Sequence, residues 1–469
     1  MNRKIAMPKF CILGASVAKS RKTAEGPIAG WGQYMAEFLT PAWEVRNFAR
    51  DAMTARTYYT DRFAALLNVL EPGDIVALDF GGVEQRINVP LRYHGKREFK
   101  EFLKLYVEGI RAQGAIPVLL TPCSRCAFDV RGQVSDTRDG YPEVTREAAV
   151  ETGAVFVDMN AHTGRLLQEL GPARAKQYYR WLDAGEHPLH PDGMIDSTHF
   201  NHAGAREVAR ILASALAASP DIPVGTVDPA TLVPGEYPPP APEFTVVSPE
   251  SALFAVDRVG TAPVFTSPAP GRAVSGLQKF AGTAGPDTGY LLFFSQGGYI
   301  GGTAVNEQGR FLWRRTMVWP AGEHTVQAVG IARAGGVTPI ASLSFEVRDH
   351  VVPPVVDSPK SGSWVNPRPR FRGTAVPGVT KVMALEGERL IGEAVVAEDG
   401  TWSMRHPHSW RPGTYRVEFV SIFSALHSTA TPVDIRVLGV PQDSFLRTST
   451  EARERCGEKC DHYPFDGHW

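Results

Sequence analysis

In "CILGASVAKS" (residues 11–20) an apolar run stops at Gly14, and Ser16 stands just beyond it. Far along the chain, "DSTHFNHAGA" places Asp196 three residues before His199. These are the three residue types of nucleophilic acyl transfer. A serine needs a base to take its proton, and the base needs a carboxylate to fix its tautomer. An Asp and a His so spaced in a loop can turn both side chains to one side of a cleft. D-x-x-H alone is a weak signal. It gains weight beside a serine after a first strand and a helix after the histidine. The competing reading makes Ser16 a loop cap, Asp196 a cap on the approach to that helix, and His199 a packed polar residue.

Such residues need a rigid frame, and the first 218 residues read as one. "KFCILGAS", "WEVRNFA", "IVALDFG", "AIPVLLTP" and "AVFVDM" are strand-like. "GWGQYMAEFL", "YTDRFAALLNVL", "REFKEFLKLYVEGIRAQG", "EVTREAAVETG" and "HAGAREVARILASALAA" carry helical spacing. This alternation predicts a parallel sheet covered on both faces, with its ligand site at the carboxyl ends of the strands. Ser16, Gly81 and Pro122 all fall just past strand ends.

After Pro220 the composition changes to the Pro-rich "VDPATLVPGEYPPPAPEF", a semi-rigid linker. Residues 243–262 form an extra strand or extend that linker. An internal repeat follows. Phe280 and Phe371, Gly282 and Gly373, Pro286 and Pro377, Ile300 and Ile391, Gly309 and Gly400, Phe311 and Trp402, and Gly322 and Gly413 share one offset of 91 residues. A constant offset means two copies of one fold. Short alternating strands between Gly, Pro and Asn/Asp turns predict a β-sandwich for each. The repeated pattern resembles bacterial immunoglobulin-like domains of surface and secreted proteins. The expected organisation is an α/β domain over 1–220, a linker over 221–262, immunoglobulin-like sandwiches over 263–349 and 350–439, and a tail over 440–469.

The first domain resembles the SGNH (GDSL-type) hydrolases, in their rhamnogalacturonan acetylesterase-like branch. "GAS" stands at the family's Gly-Asp-Ser, and "GWGQYMAEF" at its Gly-Trp-Gly helix start. "NFARDAMTARTY", "DFGGVEQ", "LLTPCSRCAFD" and "DSTHFNHAGAREVA" follow its later blocks. The resemblance implies a three-layer α/β/α fold and a metal-free serine esterase acting on acetylated carbohydrate. Ser16 would be the nucleophile, His199 the base and Asp196 its orienting carboxylate. The oxyanion would be held by the N–H groups of Ser16 and of Ala52, which stands at a family glycine beside Asp51. Two positions depart further. Ala15 replaces the aspartate beside the nucleophile. Val83 replaces the asparagine that donates to the oxyanion. Glu84, next to Val83, would oppose a developing negative charge unless protonated or turned away, whereas Gln85 turned inward would replace the lost donor.

Several residues carry a bland reading beside a functional one. Cys123 and Cys126 form a CxxC, read as two loop thiols beside a strand end rather than a redox or metal pair. Arg125 meets an anionic sugar or forms an internal ion pair. His94 is read as a surface-loop residue, and His162, His187 and His190 show no metal spacing. Tyr178, Tyr179 and Trp181 read as a buried cluster under the Asp-His loop, with a sugar-stacking wall as the alternative.

Composition sets the remaining bounds. With 43% apolar and 21% charged residues the 469-residue chain is globular, and its net charge of −1 supplies no field for nucleic acid or an anionic membrane. No apolar run is long enough to span a bilayer. "FCILGASVA" is read as the first strand rather than an export signal, although tandem sandwiches favour an extracellular or particle-surface setting. No cofactor is expected. In the tail, Cys456, Cys460, His462 and His468 bind a metal, or the two cysteines form a disulfide or stay free. Two functions follow. One is a serine esterase acting on acylated polysaccharide with a degraded oxyanion hole. The other is a non-catalytic pseudoenzyme that binds glycan or assembles a surface or particle through its sandwiches.

Overall fold

Residues of β1 (Lys9–Gly14) alternate between two cores, and this period of two builds the first domain. Phe10 and Ile12 enter one cluster, while Cys11 and Leu13 enter the other. The structure, a computed structural model, describes residues 7–236 and 258–439. Strands β2 (Glu44–Asn47), β3 (Ile75–Asp79), β4 (Ile116–Leu120) and β5 (Val155–Val157) complete a parallel sheet in the order β2-β1-β3-β4-β5. Strand order reverses at β1, so a crevice opens between the carboxyl ends of β1 and β3, where such sheets hold ligands. The "GAS" and "DFGGVEQ" segments border that crevice.

Helices cover both faces, as the alternation requires. Helix Lys96–Ala112 buries Phe99, Leu103, Tyr106, Val107 and Ile110, spaced as one helical stripe. It packs with helix Tyr141–Thr152 on the Cys11 side. Helices Met159–Ala175 and His202–Ala217 cover the Phe10 side. Asn201 caps the last of these by accepting the Gly204 N–H at 3.0 Å.

Three points of the sequence reading need correction or completion. "GWGQYMAEFL" forms two 3₁₀ turns, Trp31–Gln33 and Met35–Glu37, and not one α-helix. A Cβ at Gly32 would stand 2.5 Å from Ala18 O, so the segment is shaped by close approach to the Ser16 loop. Helix Met159–Ala175 was not legible from its weak apolar stripe, and its chain breaks at Gly171 (φ 69°) before Pro172. The third correction concerns Asp196 and His199. They lie in a strand, β7 (Met194–Phe200), paired antiparallel with β6 (Tyr179–Leu182), and not in a loop.

The two repeats have matching topology. In the first, β8 (Val264–Ser267), β10 (Phe280–Thr283) and β13 (Arg310–Trp313) form a three-stranded sheet. It faces a sheet ordered β12-β11-β14-β15-β9, comprising β9 (Ala273–Ser275), β11 (Thr288–Ser295), β12 (Gly298–Ala304), β14 (Gly322–Ala332) and β15 (Ala341–Arg348). In the second, β16 (Val355–Ser358), β18 (Arg370–Thr374) and β21 (Thr401–Arg405) form the small sheet. Strands β17 (Ser363–Val365), β19 (Lys381–Glu386), β20 (Arg389–Val395), β22 (Gly413–Phe423) and β24 (Thr431–Val437) form the large one, with β23 (Leu426–His427) added beside β22.

The repeat positions explain themselves. Phe280 and Phe371 are both fully buried. A Cβ at Gly282 or Gly373 would strike the neighbouring strand's carbonyl oxygen at 2.0 or 1.8 Å. Gly309 and Gly400 have φ of 73° and 81°, and their carbonyls accept the N–H groups of Ala284 and Ala375. The α/β domain and the first sandwich belong to one compact unit, and the second sandwich to another. The proposed tail ligands and half of the linker over 221–262 lie outside the described residues.

Candidate active site

The serine reaches the crevice because β1 and β3 run unusually close. A Cβ at Gly14 would stand 2.6 Å from Asp79 O, so only glycine fits there, and the chain turns out at Ser16. The following loop is pinned from several sides. Trp31 N–H donates to Val17 O at 2.9 Å, Asn47 Nδ2 to Ala18 O at 2.7 Å, and Arg21 Nη2 to Ser16 O at 3.1 Å. These bonds brace the loop without the family aspartate at position 15, where Ala15 is buried.

His199 Nε2 lies 2.7 Å from Ser16 Oγ, and His199 Nδ1 lies 2.6 Å from Asp196 Oδ2. Asp196 Oδ1 accepts the N–H groups of Thr198 and His199 at 2.9 and 3.1 Å. The three-residue spacing thus lets one carboxylate bind both the local backbone and the imidazole. Burial alone would raise the Asp196 pKa. The hydrogen bonds from His199 and the two backbone donors outweigh it and hold the group down at about 2. An ionised Asp196 only accepts, so Nδ1 carries the ring proton and Nε2 accepts from Ser16 Oγ–H. The arrangement can remove a proton from Ser16 as Oγ attacks a carbonyl carbon.

Ala52 has φ of 61°, a left-handed conformation unusual for any residue with a Cβ. Its segment is tied to the Ser16 loop. Arg50 N–H donates to Gly14 O at 3.1 Å, and Asp51 binds Lys19 at 2.7 Å and Arg21 at 2.6 Å. Among the described residues, no acceptor takes the N–H of Ser16 or of Ala52. Free donors at a strained turn are what an oxyanion site requires.

The β3 end differs from the family pattern in a defined way. Val83 offers no side-chain donor, and its own N–H goes to Glu84 Oε2 at 3.0 Å. Glu84 is fully buried and accepts Ala55 N–H at 2.8 Å and Gly81 N–H at 2.9 Å. Its carboxyl is engaged in a backbone nest, and burial raises its pKa despite those bonds. Gln85 Nε2 donates to Gly82 O at 3.1 Å. The Arg138 guanidinium is buried beside Gly82 and donates to Cys123 O. Asp79, also buried, accepts Trp31 Nε1–H at 2.8 Å, and burial raises its pKa to about 6.

Other candidates settle into the scaffold. Cys123 and Cys126 are buried, free thiols, and burial pushes Cys126 up to about 12. His94 is a buried residue and not a surface one. Its Nε2 lies 2.7 Å from Thr54 Oγ1, and burial lowers its pKa to about 4. Arg125 Nη1 donates to Thr137 O at 2.9 Å, while its buried Nε has no partner among the described residues. Tyr178 and Tyr179 are buried, and Trp181 lies under the Arg314 guanidinium at 4.5 Å. His162 contacts Arg165, and His190 contacts Arg180. Among the described residues, no three His, Cys, Asp or Glu side chains gather to hold a metal. No helix there is long and apolar enough to cross a membrane. Sequence reasoning did not reach Lys19 or Arg21 as braces of the site, because their shared partner Asp51 lies 32 and 30 residues away, nor Glu84, whose carboxylate turns back onto the N–H groups of Gly81, Val83 and Ala55.

No family model matches the chain. Curated relatives do. A rhamnogalacturonan acetylesterase of Bacillus subtilis is 31% identical over 206 residues, covering 44% of this chain and 88% of the relative. A probable rhamnogalacturonan acetylesterase of the same organism is 28% identical, covering 40% and 82%. Among solved structures, a catalytic mutant of an acetylxylan esterase from Geobacillus stearothermophilus aligns with a TM-score of 0.33 at 19% identity, covering 45% of this chain and 92% of that one. Through its N-terminal α/β domain, this chain belongs to the rhamnogalacturonan acetylesterase-like branch of the SGNH hydrolases.

Proposed function

We propose that this protein is a serine esterase that removes acetyl groups from polysaccharide. The observation that carries the reading is the unbroken chain of short hydrogen bonds Ser16–His199–Asp196. Ser16 Oγ attacks the acetyl carbonyl carbon while His199 Nε2 takes its proton. The N–H groups of Ser16 and Ala52 bind the oxyanion. Collapse breaks the ester C–O bond, and His199 returns the proton to the departing sugar oxygen. Water, deprotonated by His199, then attacks the acetyl-Ser16 ester and releases acetate.

The relatives named as rhamnogalacturonan acetylesterases support acetylated polysaccharide as the substrate class. The absent donor at Val83 supports a slow enzyme, since one oxyanion donor is typically worth about 10²–10³ in turnover. That same absence favours the pseudoenzyme as the second reading. Acetate released from acetylated rhamnogalacturonan and from acetylated xylan tests the choice. Release that depends on Ser16 supports the enzyme. Equal traces from wild type and Ser16→Ala leave a glycan-binding role for the cleft.

A further inference from the structure

We propose that the first sandwich is a working part of the catalytic unit, and that Lys279 is a positioning residue that fixes the strand carrying Asp196 and His199. The proposal rests on the esterase reading for its catalytic consequence.

Strand β7 lies outside the five-stranded parallel sheet and pairs only with β6 as a strand neighbour among the described residues. On the α/β side it is held by Ala29 N–H to Phe200 O at 3.0 Å and by Cys126 N–H to Ser197 O at 2.9 Å. These bonds lie on either side of His199. The residue before Asp196, in register with Trp181 of β6, is held from the sandwich as well. Lys279 Nζ, on the segment entering β10, donates to Ile195 O at 2.7 Å. Lys279 is exposed over much of its surface, but its bond is charge-assisted, a class roughly twice as strong as a neutral hydrogen bond.

The contact continues along the β6–β7 hairpin. Asp183 accepts Thr303 Oγ1–H at 3.2 Å and Ala304 N–H at 3.3 Å. Asn306 Nδ2 donates to Pro191 O at 2.8 Å, and Arg310 Nε pairs with Asp192 at 2.6 Å. A backbone bridge lies beside it. Phe128 N–H donates to Thr316 O at 3.1 Å, and Val318 N–H donates to Phe128 O at 2.7 Å. The Arg314 guanidinium, buried against Trp181, extends the same seam.

A tether between domains would need none of these bonds to converge on the catalytic strand. Here one sandwich cation grips the carbonyl adjoining Asp196, and Asn306 and Arg310 clamp the turn that leads into the strand. Catalytic groups must be held within about 0.5 Å of productive geometry, so loss of this grip acts on turnover before substrate affinity.

The test uses the full chain with Lys279→Met and Lys279→Arg. Hydrogen exchange of the amides in 194–200 is measured together with kcat and KM on p-nitrophenyl acetate. Lys279→Met is expected to speed that exchange and lower kcat, each by roughly tenfold, with KM changed less than twofold. Lys279→Arg is expected to restore most of both. A Met variant with wild-type exchange and wild-type kcat overturns the proposal, and so does a loss that appears only in melting temperature. Should Lys279→Met not fold, Lys279→Gln, whose amide falls one bond short of Ile195 O, is read in the same way. If the wild type shows no Ser16-dependent turnover, the esterase reading has failed. The grip on the strand is then judged by exchange alone, where unchanged rates overturn it.

Discussion

His199 Nε2 stands 2.7 Å from Ser16 Oγ, although 183 residues of chain separate them. The serine arrives on the first strand of the parallel sheet, and the histidine arrives on a hairpin outside it. If this meeting is a general-base contact, removing the base must remove turnover. His199→Ala is expected to lower kcat by about 10²–10⁴ on an activated acetyl ester, with KM changed little. Asp196→Asn is expected to act in the same direction, because the ring loses its orienting carboxylate. Asp196 is held down at about 2, so it stays ionised across any practical assay range. Steady-state kinetics of the two variants checks both expectations.

Ala52 adopts φ of 61° where the family has glycine. A left-handed alanine costs about 1–2 kcal/mol, and glycine carries no such strain. Ala52→Gly is expected to raise unfolding stability by about 1 kcal/mol and to leave the donor N–H in place. Urea unfolding read beside kcat checks it. A destabilised variant would mean that the turn needs the methyl group.

Val83 occupies the position at which the family donates a third hydrogen bond. Val83→Asn is expected to raise kcat by about 10–10², within the range that one oxyanion donor supplies. An assay on p-nitrophenyl acetate reads the change. No gain would mean that the crevice already supplies a substitute donor.

Asp79 is fully buried, and burial raises its pKa from an ordinary 3.8 to about 6, against the Trp31 hydrogen bond and the Arg138 charge. The folded state therefore binds this proton more tightly than the unfolded chain does. The stability it contributes is fully present below pH 3.8 and is lost as pH rises through about 6. The full span corresponds to about 3 kcal/mol. Asp79→Asn keeps an acceptor for Trp31 and removes the titration. It is expected to be more stable than wild type at pH 8 by about 1–3 kcal/mol, with the advantage shrinking toward pH 5. Denaturant unfolding at the two pH values checks both sign and window.

Much of this arrangement was legible because its causes are local. An apolar run ending at Gly14 marks a buried strand with Ser16 at its mouth. The spacing of Asp196 and His199 lets one carboxylate bind backbone and ring together. The constant offset linking Gly282 to Gly373 records two carbonyls that leave no room for a Cβ. The rest depended on contacts between remote segments. "MIDSTHF" carries too many polar residues to look like a strand, because its polar side chains serve the site. Glu84 looked like a charge facing the oxyanion, yet three backbone N–H groups hold it. Apolar residues three and four apart gave "GWGQYMAEFL" a helical spacing, but tight packing under the Ser16 loop divided it into turns. Lys279 has no local motif, since its partner is a backbone carbonyl 84 residues away.

The most direct test is hydrolysis of p-nitrophenyl acetate by wild type and Ser16→Ala, both shown to be folded by circular dichroism. The account expects measurable turnover by the wild type and a fall of at least about 10² in the variant. Equal rates in the two proteins would contradict it, because Ser16 would then not be the nucleophile and its contact with His199 would be structural alone.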